Sequence, residues 1–86
     1  NQKKMNEEMI LSQRKGNKVV LLIKNTFKIG NKYTNEKITE ELTRIFDLMH
    51  IHPEKTIKGS MIKDYYQVKE WRNESNRGYI LVSELI

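Results

Sequence analysis

Thr34-Asn-Glu-Lys-Ile38-Thr-Glu-Glu-Leu42-Thr-Arg-Ile45-Phe46-Asp-Leu-Met49-His50 is the stretch whose reading decides the fold. Ile38, Leu42, Ile45, Phe46 and Met49 fall at i, i+4, i+7, i+8 and i+11, which is one buried stripe along an α-helix. Charged residues fill the opposite face. Thr34 suits the N-cap, and Glu36 in the first turn complements the helix dipole. Pro53 biases His52 away from helical geometry, so the helix is expected to end near His50.

Upstream, Phe27-Lys-Ile-Gly30-Asn-Lys-Tyr33 alternates apolar and polar residues around a glycine and reads as a short edge strand. Lys18–Phe27 is ambiguous. Val19, Val20, Leu22 and Ile23 have strand propensity, while Val20, Ile23 and Phe27 also make a helical stripe; the helix is favoured as the element that precedes the first strand. Residues 1–16 are polar apart from Met5, Met9, Ile10 and Leu11, and Gly16-Asn17 punctuates the chain. They read as an amino-terminal extension or helix.

Downstream, a turn around His52–Lys55 leads into a second helix expected from Thr56 to Tyr66. Ile57, Met61, Ile62 and Tyr65 point one way there, and Lys55, Lys58, Gly59, Ser60 and Lys63 make the exposed set. Val68–Arg72 and Gly78–Val82 read as strands joined by the polar loop Asn73-Glu-Ser-Asn-Arg77. One member of the Tyr65-Tyr66 pair is expected in the core and the other half-buried. Trp71 is also expected in the core, in preference to stacking on bases. Helix, strand, helix, turn, helix and hairpin in that order give an α+β winged helix-turn-helix, with three helices and a small antiparallel hairpin as the wing, over residues 17–86.

Composition bounds the function. At 86 residues there is room for one small domain, and 37% hydrophobic with 31% charged residues of mixed sign fits a folded core with a wet surface. No cysteine means no disulfide and no thiolate metal site. The longest apolar run, Val19–Ile23, is far too short for a membrane span. The amino terminus lacks the apolar segment of a signal peptide, so an excised piece of a longer cytoplasmic protein is expected.

The net charge of +5 is uneven: residues 1–34 carry +6, residues 35–50 carry −2, and residues 51–86 carry +1. An acidic helix between basic flanks leaves phosphate contact to the flanks. The bland reading of the basic balance is a genome that favours Lys, Asn and Ile. Nothing suggests catalysis. Glu40 and Glu41 point in different directions, Ser12, Ser60, Ser75 and Ser83 have no base partner, and the glycines form no phosphate-binding loop. His50-x-His52 lacks a third ligand, and a helix carboxyl end favours His without any metal. No enzyme, cofactor or metal is therefore expected.

What remains is the second helix with the hairpin tip. Lys55, Thr56, Lys58, Ser60 and Lys63 offer donors to phosphates and base edges, with Arg72, Asn76 and Arg77 at the wing. Gly59 is expected to let the helix backbone approach a phosphate. The competing reading is a merely solvated basic face.

Phe27-Lys-Ile-Gly-Asn-Lys-Tyr-Thr-Asn-Glu-Lys-Ile38, Glu54-Lys-Thr-Ile-Lys-Gly-Ser-Met-Ile-Lys-Asp-Tyr-Tyr-Gln-Val-Lys69 and the closing Gly78-Tyr-Ile-Leu-Val82 also carry a resemblance. The chain from Phe27 onward is similar to a winged-helix module at the carboxyl end of phage, plasmid and mobile-element replication proteins, notably primase-helicase polypeptides. These are fold-level patterns, not catalytic signatures, and the first 26 residues take no part. The resemblance implies engagement of DNA, duplex or single-stranded, that helps position a helicase or primase whose chemistry lies elsewhere in the polypeptide. Partners would then include other domains of that polypeptide or other replication proteins. The alternatives are a winged helix that docks on protein, or a transcriptional regulator, which would need dimerisation and a palindromic site.

Overall fold

A computed structural model describes residues 16–85. The polar stretch 1–16 lies outside them apart from Gly16, which begins the described part of a helix, α1, spanning 16–26. The ambiguous run is thus helical, and its buried stripe is Val19, Ile23 and Phe27. Val20 is only half-buried, so the stripe is shifted by one position at its start from the one expected.

After α1 the chain turns at Gly30, whose φ of 87° is a conformation glycine adopts without penalty. The Gly30 amide donates to the Leu81 carbonyl at 2.8 Å, which starts the pairing of this segment with the carboxyl-terminal strand. Strand β1 follows at Lys32–Thr34. The Tyr33 ring meets Phe27 edge-on at 5.1 Å, and its hydroxyl accepts from the Lys28 amide at 2.8 Å, so the turn is tied to both of its ends.

Helix α2 spans Asn35–Leu48, capped by Thr34, whose Oγ1 accepts from the Lys37 amide at 3.1 Å. Ile38, Leu42, Ile45 and Phe46 are buried as the spacing requires. A fully buried aliphatic side chain of this kind is worth roughly 1.5–3 kcal/mol over an exposed one, so the stripe fixes α2 in place. The helix ends by its own local chemistry, ahead of Pro53. His50 takes a left-handed φ of 54°, its amide donates to Asp47 at 3.1 Å, and the Ile51 amide donates to Phe46 at 2.9 Å. This pair of bonds satisfies carbonyls that the helix end would leave open.

The second helix expected over Thr56–Tyr66 is a correction. Only Gly59–Asp64 is helical, and it is a 3₁₀ helix; Lys58 before it is extended, with φ −132° and ψ 153°. Tyr66 opens strand β2, Tyr66–Arg72. The cause is close packing at Gly59. A Cβ there would sit 2.6 Å from Asn35 Oδ1 and 3.0 Å from the Asn35 carbonyl oxygen, so this turn lies directly against the start of α2. The element needs to bury only Gly59 and Ile62, and a tight turn with three residues per repeat does so.

Strand β3, Arg77–Glu84, lies between the other two in an antiparallel sheet of order β1-β3-β2. Both hairpin strands are longer than expected, and a bulge places Gln67 opposite Ser83 but Val68 opposite Leu81. Val82 is therefore left out of the pairing and exposed. Gly78 is required where it stands, because any side chain would overlap the backbone of Tyr33 and Thr34.

The core joins Val19, Ile23 and Phe27 of α1 and its end, the α2 stripe, Ile62, and Tyr66, Tyr79 and Leu81 of the sheet. The buried Tyr66 hydroxyl donates to the Phe27 carbonyl at 3.2 Å, linking β2 to the end of α1. Desolvation first, and the nearby Glu84 second, push its pKa up to about 12. The architecture of the described residues is thus α+β, with two α-helices, one 3₁₀ helix and a three-stranded antiparallel sheet. No helix among the described residues is long and apolar enough to cross a membrane.

Candidate nucleic-acid interface

A groove of about 890 Å³ opens between the first turns of α2, the chain at 57–60 and the inner side of the hairpin. Glu36 and Glu40 stand on the α2 wall, Lys58 on the loop, Ser60 in the first turn of the 3₁₀ helix, and Glu70, Arg72 and Arg77 on the hairpin, with Ile57 and Tyr79 adding apolar surface. Of the residues expected to contact a ligand, Lys58, Ser60, Arg72 and Arg77 are brought together here. Lys55 and Thr56 are exposed on the loop ahead of Lys58, outside the lining, and are not on a helix. Asn76 is at the hairpin tip, where its amide and that of Ser75 donate to Asn73 Oδ1 at 2.7 and 2.9 Å and shape the turn.

Lys63 is engaged otherwise. Its Nζ lies 3.4 Å from Glu70 Oε1 and 5.3 Å from the centre of the Tyr79 ring, bridging the 3₁₀ helix to the sheet. The hydrogen bond to Glu70 raises its pKa, with Tyr79 adding to the effect. Gly59 is a second correction: it is buried against Asn35, so the close approach it permits is to α2 and not to a phosphate.

Arg72 and Arg77 face each other across the two strands at the base of the tip. Like charges directly opposite on an antiparallel pair repel. None of the ion pairs among the described residues involves either arginine. The Glu41 carboxylate, by contrast, is held by Arg44 at 3.0 Å and Lys37 at 3.2 Å, and those hydrogen bonds lower its pKa. It takes no part in the groove.

Three groove carboxylates escaped the sequence reading. Glu36 and Glu40 are four apart, hence on one face of α2, a spacing visible in the sequence but read as solvated surface. Glu70 had no such signal. Trp71 is a third correction, because it is half-buried and stands outside the core cluster. Its Nε1–H donates to the Tyr33 carbonyl at 3.3 Å, and Lys32 Nζ lies 4.5 Å from its ring centre. Of the Tyr65-Tyr66 pair, Tyr66 is buried and Tyr65 half-buried as expected, although they sit at a helix-to-strand junction. Among the described residues, no three of His, Cys, Asp and Glu gather as a metal ion requires.

No protein-family model, curated protein or solved structure matches this chain. The functional reading therefore rests on the groove, its charges and the order of the elements.

Proposed function

We propose that this chain is a winged-helix module that binds nucleic acid, in the manner of the DNA-engaging end of a replication-type polypeptide. The order helix, strand, helix, short helix, hairpin, with β1 beside β3, supports the winged-helix reading. The 3₁₀ helix stands where a recognition helix would, and the hairpin is the wing. Phosphates lie along Lys58, Arg72 and Arg77, with Lys55 and Thr56 at the approach.

The observation that carries the reading is the facing pair Arg72 and Arg77, left without a carboxylate partner at the rim of an open groove. A phosphate between them turns a repulsion into two charge-assisted hydrogen bonds. Binding to non-specific duplex is expected at about 10⁻⁴–10⁻⁶ M at physiological salt. Replacing both arginines together, Arg72→Gln with Arg77→Gln, is expected to weaken binding in fluorescence anisotropy. It should also flatten the log–log salt slope by about 2. Unchanged affinity and slope would reject the arginine assignment.

Glu36, Glu40 and Glu70 in the same groove favour a second reading, a protein-docking winged helix whose partner carries charges of both signs. Salt separates the two. Nucleic-acid affinity falls steeply as salt rises, whereas a mixed-charge protein interface responds weakly.

A further inference from the structure

We propose that Trp71 is a base-stacking site, which makes a single nucleic-acid strand, in preference to closed duplex, the ligand of this module; the inference rests on the nucleic-acid reading above. The sheet register sets up the site. Lys32, Ile80 and Lys69 form one row across the three strands, and Thr34, Gly78 and Trp71 form another. The row between them is Tyr33, Tyr79 and Glu70, in which Tyr79 belongs to the core. Because side chains alternate along a strand, the rows of Lys32 and Trp71 face away from that core. Trp71 and Ile80 are both half-buried and neither packs into the core cluster, as this placement requires.

The indole is already positioned. Its one donor is spent on the Tyr33 carbonyl, and the residue beside it on β3 is Gly78, which has no side chain to crowd the ring. What covers the ring is a lysine, with Lys32 Nζ 4.5 Å from its centre. Lys32 is exposed, and a base stacks on an indole more strongly than a solvated ammonium does. Lys32 can swing from the ring to a phosphate when a base arrives. Lys69 lies in the same row, and no carboxylate stands in either row. Glu70, the nearest acid along β2, belongs to the opposite face and is held by Lys63.

Arg72 follows Trp71 on β2, an edge strand of the sheet, so alternation puts the Arg72–Arg77 pair on the opposite face, with Glu70 and Tyr79, one residue further along the hairpin. A strand whose phosphate sits between the arginines reaches the ring by passing over the β2 edge, and its next phosphate then lies toward Lys32 and Lys69. Duplex cannot use this site, because its base faces are closed by stacking inside the helix.

Trp71 is the single tryptophan of the chain, so intrinsic fluorescence reports directly on the site. Titration with a thymidine oligodeoxynucleotide is expected to quench it, and a duplex of the same length to leave it unchanged while binding roughly tenfold more weakly. Trp71→Leu, checked by circular dichroism for an intact fold, is expected to bring single-strand affinity down to that of duplex and leave duplex affinity unaltered. The milder Lys32→Gln with Lys69→Gln keeps the ring and is expected to preserve quenching at saturation while weakening single-strand binding. Equal affinity for both DNAs with no quenching would overturn the stacking site and leave the arginine groove standing. Binding of neither DNA would overturn both.

Discussion

Tyr66→Phe removes one hydroxyl and tests the packing and the titration behaviour together. The hydroxyl is buried and donates to the Phe27 carbonyl at 3.2 Å. Without it that carbonyl loses its side-chain donor, at a cost of about 1.5 kcal/mol near neutral pH. In a domain of this size that corresponds to a drop of roughly 6–12 °C in Tm. The alkaline range behaves differently. In the unfolded chain Tyr66 ionises near the ordinary tyrosine value of about 10, whereas the folded protein holds the proton up to about 12. Its contribution is complete below pH 10 and is lost as the pH rises through 12, amounting to roughly 2 kcal/mol over that interval. The Phe variant has no such loss. Urea unfolding followed by far-ultraviolet circular dichroism, at a series of pH values from 7 to 12, should show wild type ahead at pH 7, the two crossing at about pH 11 and the Phe variant slightly ahead at pH 12. Tyr33, Tyr65 and Tyr79 are common to both proteins and cancel in the difference. A gap that stays constant across the series would refute the claim that Tyr66 titrates from the core.

Gly59→Ala is expected to lower stability by about 1–3 kcal/mol, since its Cβ would meet Asn35 and the usual helix preference for alanine is smaller than the overlap. A gain in stability by thermal unfolding, accompanied by weaker DNA binding, would restore Gly59 to a ligand-approach role. His50→Gly, at the left-handed position after α2, is expected to raise stability by about 0.5–1 kcal/mol. A lowered urea midpoint would mean that the His50 side chain makes a contact worth more than the backbone strain.

Much of the fold is legible in the sequence because it depends on local rules. The Ile38–Met49 stripe, the Thr34 cap and the hairpin each follow from spacing or from one residue's chemistry, and all stand in the structure. The expected second helix differs because Ile57, Met61, Ile62 and Tyr65 share a face at α spacing, whereas the chain forms only a 3₁₀ helix at Gly59–Asp64, with Ile57 and Tyr65 outside it. Deciding between them takes the contact of Gly59 with Asn35, which are 24 residues apart in sequence and invisible to local periodicity. Trp71 was misjudged for a related reason. Alternation along β2 and β3 puts Trp71 and Tyr79 on opposite faces of the sheet, and which face is covered depends on where α1 and α2 pack. At the candidate site, Lys58, Ser60, Arg72 and Arg77 were recognisable as basic or polar exposed residues, whereas two of the acids that share the groove, Glu36 and Glu40, come from α2 across it and Glu70 from β2.

The start of α2 has a role beyond capping a helix. The Tyr33 carbonyl receives the Trp71 indole, the Tyr33–Thr34 backbone presses on Gly78, and Asn35 presses on Gly59. Three consecutive residues thereby clamp the hairpin and the 3₁₀ helix to one point, and both walls of the groove are referenced to it. The groove is therefore a preorganised slot: a ligand entering it gives up its own freedom but need not order the protein as well. An insertion within Tyr33–Asn35 would shift both walls at once and change the width of the slot, whereas an insertion at the tip, in 73–76, would lengthen the hairpin and leave that width as it is.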